Sequence, residues 1–340
     1  MTARELLEAL SRPEAYPEPV TAVEVRQTHV SLVFLTDAHV WKVKKAVDLG
    51  FLDFRDLDRR RHFCEEEVRL NRRLAPSVYL GVVPITRDGD TVRVGGGGEV
   101  VDWAVKMCRL PDDRCLEALL ARGAADAATV ERVARRLAVF HAAAEPVGAL
   151  AAFARAGCLA GHFRDNLAAA DRFVSRAERD RLEERFAATL RRLGPLIDER
   201  AARGVPRDTH GDLRTEHVYL FPERPPPDDL AVIDCVEFAE RFRAADPVAD
   251  IAFLVMDLAF RGRRDLAAAC AAAWFAERGD EEGRPLLQPY VAYRAAVRAK
   301  VEGIKAAEAE VTAPERAAAR DRARAHWLLA LGELGASGGR

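Results

Sequence analysis

The chain has 340 residues, with 52 Lys or Arg against 54 Asp or Glu and a formal net charge of −2. That length suits two lobes with a substantial buried core, and the near-neutral balance gives no global attraction to nucleic acid, which is therefore not an expected partner. Six cysteines with no Cys-x-x-Cys pair exclude a zinc knuckle and a disulfide framework, and the absence of a leader-like start or a span-length apolar run predicts a cytoplasmic protein without a membrane partner.

In chain order, residues 4–11 carry an amphipathic helical pattern, and residues 22–27 alternate as a strand does. Thr28-His29-Val30 turns into an apolar strand at 31–35, and a polar turn at 36–38 leads to a third strand, His39-Val40-Trp41-Lys42-Val43-Lys44. The three read as an antiparallel meander. Period-two alternation sets Val40, Lys42 and Lys44 on one face and Trp41 and Val43 on the other. Six of the 52 basic residues are lysine, and half of those six fall between positions 42 and 45. A chain that otherwise writes arginine asks there for a compact ammonium, because the two side chains are not interchangeable near a phosphate. Lys42, deeper in the strand, is the first choice for a phosphate-binding residue, and Lys44 is the alternate.

A helix is predicted over 59–75, with Phe63, Leu70 and Leu74 on an apolar stripe that contains Glu67 but not Glu65. A carboxylate on a buried face requires a partner, and Lys42 is the natural one. Strands at 82–85 and 91–94 flank the hairpin signal Asp88-Gly89-Asp90, after which Gly95 to Gly98 reads as a flexible link. A last strand at 100–107 runs into a hinge at 108–113, where backbone groups near Met107 are expected to meet an adenine edge. The division is therefore a nucleotide-binding lobe over 1–107, the hinge, and a catalytic and acceptor-binding lobe over 114–340. The turn at 28–31 contains no glycine where a phosphate-covering loop belongs, which leaves its amides or the Ser31 hydroxyl to cover the phosphates.

The densest signal is His210-Gly211-Asp212-Leu213-Arg214-Thr215-Glu216-His217, followed 22 residues after Asp212 by Asp234 in Val232-Ile233-Asp234-Cys235-Val236-Glu237-Phe238. A His-Gly-Asp tripeptide alone is a common turn. A second carboxylate at the end of a returning strand gives it another meaning. Phosphoryl transfer asks for one carboxylate facing the acceptor hydroxyl and another holding the metal. Asp212, with His210 beside it, suits the first role, and Asp234 the second. The strands 218–221 and 230–233 form a hairpin predicted to gather Asp212, His217 and Asp234 at one end of a small sheet. Helices follow the pattern at 128–144, 177–200, 264–278, 286–308 and 314–334. Glu237, Asp246 and Asp250 offer part of an acidic cleft for a polycation. Tyr290, Arg294 and Arg298, spaced four apart, suit instead an anionic acceptor or an ion-paired face.

The chain resembles the aminoglycoside phosphotransferase and choline kinase superfamily, on the catalytic segment above together with Leu137-Ala138-Val139-Phe140-His141-Ala142 and Ala245-Asp246-Pro247-Val248-Ala249-Asp250-Ile251-Ala252. Residues 27–31, 47–54, 67–74 and 293–300 are similar to a bacterial branch whose members are often fused to a P-loop ATPase domain. The resemblance implies an α+β, bilobal protein-kinase-like fold, with a small antiparallel β-sheet lobe and a larger, mainly helical lobe. It implies Asp212 as catalytic base, Asp234 as principal magnesium ligand and Lys42–Glu67 as the ion pair. ATP or GTP with Mg or Mn would be the cofactor, and a small hydroxyl-bearing compound such as a sugar or amino sugar the acceptor. No Walker motif occurs, so a P-loop ATPase would be a separate partner. His217 stands where the superfamily usually has a metal-binding asparagine. It reads as a ligand suited to manganese, as an imidazolium contact to phosphate, or as a mark of lost activity. Two classes stay open: a small-molecule kinase, favoured by Asp212, Asp234, Lys42 and Glu67, and a nucleotide-binding pseudokinase acting through a partner, favoured by His217 and the glycine-free turn.

Overall fold

The computed structural model describes residues 1–48, 50, 52–308 and 311–336. They form two compact units: Met1–Arg122 with Glu216–Ala239, and Gly123–Thr215 with the chain from Glu240 onward.

The first unit opens with α1 (Ala3–Leu10), closed at its start by a reciprocal Thr2–Glu5 capping box that satisfies two otherwise orphaned amides. Six antiparallel strands follow: β1 (Glu24–Gln27), β2 (Ser31–Leu35), β3 (His39–Lys44), β4 (Tyr79–Asp88), β5 (Thr91–Val94) and β6 (Glu99–Cys108), in the spatial order β1-β2-β3-β6-β4-β5. The meander of the first three is present. The last strand lies between β3 and β4. Leu32, Phe34, Trp41, Val43, Ile85 and Ala104 pack with Leu6 and Leu10 of α1 on one face. On the other, Tyr79, Val105 and Met107 pack with Cys64 and Val68 of α2 (Leu57–Asn71).

The loop between β3 and α2 is held by buried Arg60, whose Nε donates to Asp102 at 2.9 Å and whose Nη1 donates to the carbonyls of Phe54 and Arg55, both at 2.9 Å. Leu49 and Phe51, within the 47–54 segment singled out above, lie outside the described residues. The glycine link has a stricter requirement than flexibility: Gly98 sits at φ +107°, and a Cβ there would overlap the Arg87 carbonyl. Beyond α3 (Leu116–Ala121), the inserted hairpin pairs Val218–Leu220 with Leu230–Val232, and Ala231 joins the core under α2.

The second unit is helical: α4 (Ala127–Ala143), α5 (Ala156–Leu167), α6 (Arg176–Ala202), α7 (Glu240–Arg243), α8 (Pro247–Phe260), α9 (Arg264–Arg278), α10 (Leu287–Lys305) and α11 (Ala313–Ala336). The five helices predicted by periodicity are α4, α6, α9, α10 and α11. Helix α8 escapes a periodicity search because it is buried on every side from Pro247 to Leu258, which leaves no polar stripe to mark its outer face. Arg200 ties α6 to the α8 start and the α9–α10 loop, with Asp246 at 2.7 Å and Asp280 at 2.6 Å. The Tyr290/Arg294/Arg298 face is largely interior: Tyr290 and Arg294 are buried, Arg294 donates to the Ala249 carbonyl at 2.9 Å, and Arg298 pairs with Glu302 at 3.3 Å.

Candidate active site

In the first unit, strand alternation carries Lys42 and Lys44 to the same face of β3, opposite buried Trp41 and Val43. Helix α2 presents Glu67 to both. Lys42 Nζ lies 2.8 Å from Glu67 Oε1, and Lys44 Nζ donates to Glu67 Oε2 at 2.7 Å. Each ammonium has a second carboxylate: Lys42 reaches Asp234 Oδ1 at 2.8 Å, and Lys44 pairs with Glu237. Glu67 is completely buried and Lys44 almost so, whereas the Asp234 side chain is 47% exposed. Burial alone drives a carboxyl up, but two ammonium groups outweigh it at Glu67 and hold its pKa below the usual range. Glu237 has a single close ammonium, so burial prevails and its pKa is raised. Burial disfavours the lysine charges too, and the facing carboxylates more than reverse that, holding both ammonium groups protonated above their ordinary range.

The loop that carries Asp234 is fixed from α2 and β4. The Asp234 amide donates to Tyr79 Oη at 3.2 Å, the Cys235 amide to Asn71 Oδ1 at 2.9 Å, and Asn71 Nδ2 to the Glu67 carbonyl at 2.8 Å. Asp234 has φ +64°, the positive-φ non-glycine among the described residues. Backbone strain of this kind persists where the surroundings over-determine a functional side chain. His217, at the base of the hairpin, is buried and accepts from the Ile233 amide at 3.0 Å through its carbonyl. Its Nε2 is 3.6 Å from both Glu216 Oε1 and Asp234 Oδ2, beyond hydrogen-bond length.

These donors suit a divalent ion that arrives with a nucleotide. Two lysines face three carboxylates, an excess of one negative charge, and Asp234 presents its carboxylate where solvent reaches it. A cation that takes most of its shell from phosphate oxygens and water needs only one or two protein carboxylates. Among the described residues no group of three or more His, Cys, Asp and Glu side chains forms a metal cage.

In the second unit, Asp250 on α8 organises the His210–Asp212 loop: its Oδ2 accepts from the His210 amide at 3.0 Å and its Oδ1 from the Gly211 amide at 2.8 Å. The same carboxylate meets His141 Nε2 at 3.0 Å, while His141 Nδ1 accepts from Trp274 Nε1 at 3.0 Å, which fixes the imidazole tautomer. His210 is itself buried, and its Nδ1 accepts from the Asp212 amide at 3.3 Å, so the ring shapes the loop from within. Asp212 is half-buried, with Arg214 Nε 3.2 and 3.1 Å from its two oxygens. On the far side, Asp257 accepts from the amide and hydroxyl of Thr215 at 2.9 and 2.6 Å.

The Asp250 carboxyl is held far below the usual range: burial pushes it up, and His141 and His210 more than compensate. A depressed folded pKa contributes stability that is complete above the unfolded value and is lost as the pH falls towards the folded one. Wild type is therefore expected to lose stability below about pH 4, and Asp250→Asn to be weaker at neutral pH with a flatter acid limb. Urea titrations at neutral and acid pH would show it, and parallel acid limbs would contradict it.

Lys42, Lys44, Glu67, Asp234 and His217 are brought together in the first unit, while Asp212 and His210 belong to the second. Met107 sits in the core under α2, and the neighbouring amides are engaged, Cys108 with the Val78 carbonyl and Arg109 with the Ala38 carbonyl, both at 2.8 Å. Ser31 lies cross-strand from Lys44, fully buried, and its hydroxyl has no hydrogen-bond partner among the described residues. The sequence reading did not anticipate Asn71, Tyr79 and Arg214 at the site or the pairing of Glu237 with Lys44. Asn71 carried a usable signal, standing one helical turn after Glu67.

No family model matches the chain. Uncharacterized proteins of Mycobacterium bovis and Mycobacterium tuberculosis are 33% identical over 316 residues, covering 92% of this chain and 60% of their own length. The chain thus spans only part of the relatives it matches. Among solved structures, the microcompartment-associated aminopropanol kinase matches at TM-score 0.56 and 15% identity, covering 98% of this chain and 99% of its own. A choline/ethanolamine kinase family protein from Mesorhizobium loti matches at 0.50 and 13%, covering 97% and 99%. The chain shares the α+β, protein-kinase-like fold of these structures. No helix among the described residues is long and apolar enough to cross a membrane.

Proposed function

We propose that this chain is a small-molecule phosphotransferase, moving the γ-phosphoryl group of ATP or GTP to a hydroxyl of a small acceptor such as a sugar or amino sugar. The observation that carries this reading is Lys42 held between buried Glu67 and half-exposed Asp234, with Asp234 in a left-handed backbone conformation. Lys42 binds nucleotide phosphates, Glu67 orients it, and Lys44 with Glu237 braces the pair. Asp234, assisted by His217, holds a magnesium or manganese ion, which when bound neutralises phosphate charge. Asp212 orients the acceptor hydroxyl and takes its proton. The bond from γ-phosphorus to the bridging oxygen breaks, a bond to the acceptor oxygen forms, and the nucleoside diphosphate departs.

Thermal stabilisation by ATP, GTP and ADP, each with Mg or Mn, tests the nucleotide half. A metal-dependent rise in Tm that disappears in Asp234→Ala is expected, and no rise with any nucleotide would refute the reading. His217→Asn is expected to lower the Mn-to-Mg activity ratio, and an unchanged ratio would remove His217 from the ligand set.

A second reading, a nucleotide-binding pseudokinase acting through a partner, is favoured by one contact, the engagement of Asp212 by Arg214. Metal-dependent nucleotide hydrolysis that vanishes in Asp212→Ala distinguishes the enzyme from it. A P-loop ATPase partner rests on the sequence resemblance alone.

A further inference from the structure

The ladder between Val218–Leu220 and Leu230–Val232 ends just before the loop that carries Asp234. The amides that follow are received in two different ways. Val232 donates to the Leu74 carbonyl at 3.3 Å and Ile233 to the His217 carbonyl at 3.0 Å, both main-chain groups. The next two amides meet side chains: Asp234 donates to Tyr79 Oη at 3.2 Å and Cys235 to Asn71 Oδ1 at 2.9 Å. These two amides flank the α-carbon of Asp234, the residue held at φ +64°.

The two acceptors are costly residues for where they stand. Tyr79 opens β4 and Asn71 closes α2, both are buried, and Tyr79 packs among Cys64, Val68 and Val105. A buried hydroxyl or carboxamide costs free energy unless it is hydrogen-bonded, so apolar residues would serve the core alone better. Asn71 has its other end engaged too: Nδ2 donates to the Glu67 carbonyl one helical turn back at 2.8 Å, which turns the oxygen towards Cys235. Packing holds both side chains, and they in turn hold the backbone of the residue whose half-exposed carboxylate meets Lys42 at 2.8 Å. A left-handed backbone is disfavoured for a residue with a side chain, so without these two acceptors the loop would relax and carry the carboxylate away.

We propose that Asn71 and Tyr79 are positioning residues for the metal ligand: by receiving the amides on either side of Asp234 they hold its carboxylate where a nucleotide-bound magnesium or manganese ion needs it. The inference rests on the phosphotransferase reading above and adds to it two residues that act through Asp234. Groups that orient a metal ligand in this way typically govern affinity or activity by about ten- to a hundredfold.

The test measures binding of ADP to the whole chain by calorimetry, once with Mn and once with EDTA. The variants are Asn71→Leu and Tyr79→Phe, each alone and combined with Asp234→Ala. Each is expected to raise the Kd of ADP with Mn about tenfold and to leave the Kd with EDTA within about twofold. In the Asp234→Ala background neither should weaken binding further, because a residue that acts through Asp234 then has nothing left to position. Equal losses with Mn and with EDTA, or a loss that persists beside Asp234→Ala, overturn the proposal, since general damage to the fold has that signature. Tyr79→Phe removes a single oxygen and carries the same prediction should Asn71→Leu not fold. Amide hydrogen exchange over residues 233–236, measured without nucleotide, is expected to quicken in both variants while that of β6 stays as it was. Unaltered exchange over the loop overturns the proposal as well. Wild type that binds no ADP under either condition would be the failure of the phosphotransferase reading, and the exchange experiment, which needs no nucleotide, keeps the two failures apart.

Discussion

Asp212→Ala is expected to lower the rate of phosphoryl transfer about a thousandfold, within the range found for removing a positioned proton acceptor, while leaving nucleotide-induced stabilisation in place. The separation follows from where the residues sit. Lys42, Glu67 and Asp234 belong to the first unit and are tied to one another, whereas Asp212 is held in the second by His210 and, through the loop amides, by Asp250. The substitution also removes the carboxylate that Arg214 Nε contacts at 3.1 Å. Diphosphate release with acceptor, read beside a thermal shift with nucleotide and metal, measures both halves. If Asp212→Ala turned over at the wild-type rate, the hydroxyl proton would have to go elsewhere and the assignment of this loop would fall.

The largest effect on stability is expected from Lys44→Met. Lys44 is almost fully buried between Glu67 and Glu237, so the methionine leaves Glu237 without its ammonium and Glu67 with Lys42 alone. Removing one partner of a buried pair typically costs about 3–5 kcal/mol, because the remaining charge keeps its desolvation penalty and loses its compensation. The double variant Lys44→Met/Glu237→Met should recover much of that loss, since no charge is then stranded. Lys42→Met should cost less, because Asp234 can turn to solvent. Urea unfolding of the four proteins settles the order. Single and double variants of equal stability would mean that the Lys44–Glu237 pair contributes nothing beyond its packing.

Much of this was legible in local pattern. Alternation in 39–44 put both lysines on one face, the apolar stripe of α2 marked Glu67 as buried and in need of a cation, and the strand boundaries 31–35 and 39–44 coincide with those found. Helix α8 was not legible, because a helix buried all round has no amphipathic signature. Arg294 misled for a related reason. Its spacing from Arg298 suggests a charged face, but the guanidinium lies 4.9 Å over the Phe253 ring and donates to a carbonyl inside the unit, where its long stem adds packing.

What the sequence determined by itself was the strand meander, the amphipathic helices and the chemical kinds of the site residues, because strand and helix periodicity and turn chemistry act over a few neighbouring positions. Only the tertiary structure decided the partners. Lys42 and Asp234 are 192 residues apart, and Lys44 and Glu237 are 193. No local preference specifies that one glutamate serves two lysines or that each lysine takes a further carboxylate. Those choices were made by burial, which penalises every charge left uncompensated and so selects the packing in which these five groups neutralise one another save for the exposed edge of Asp234.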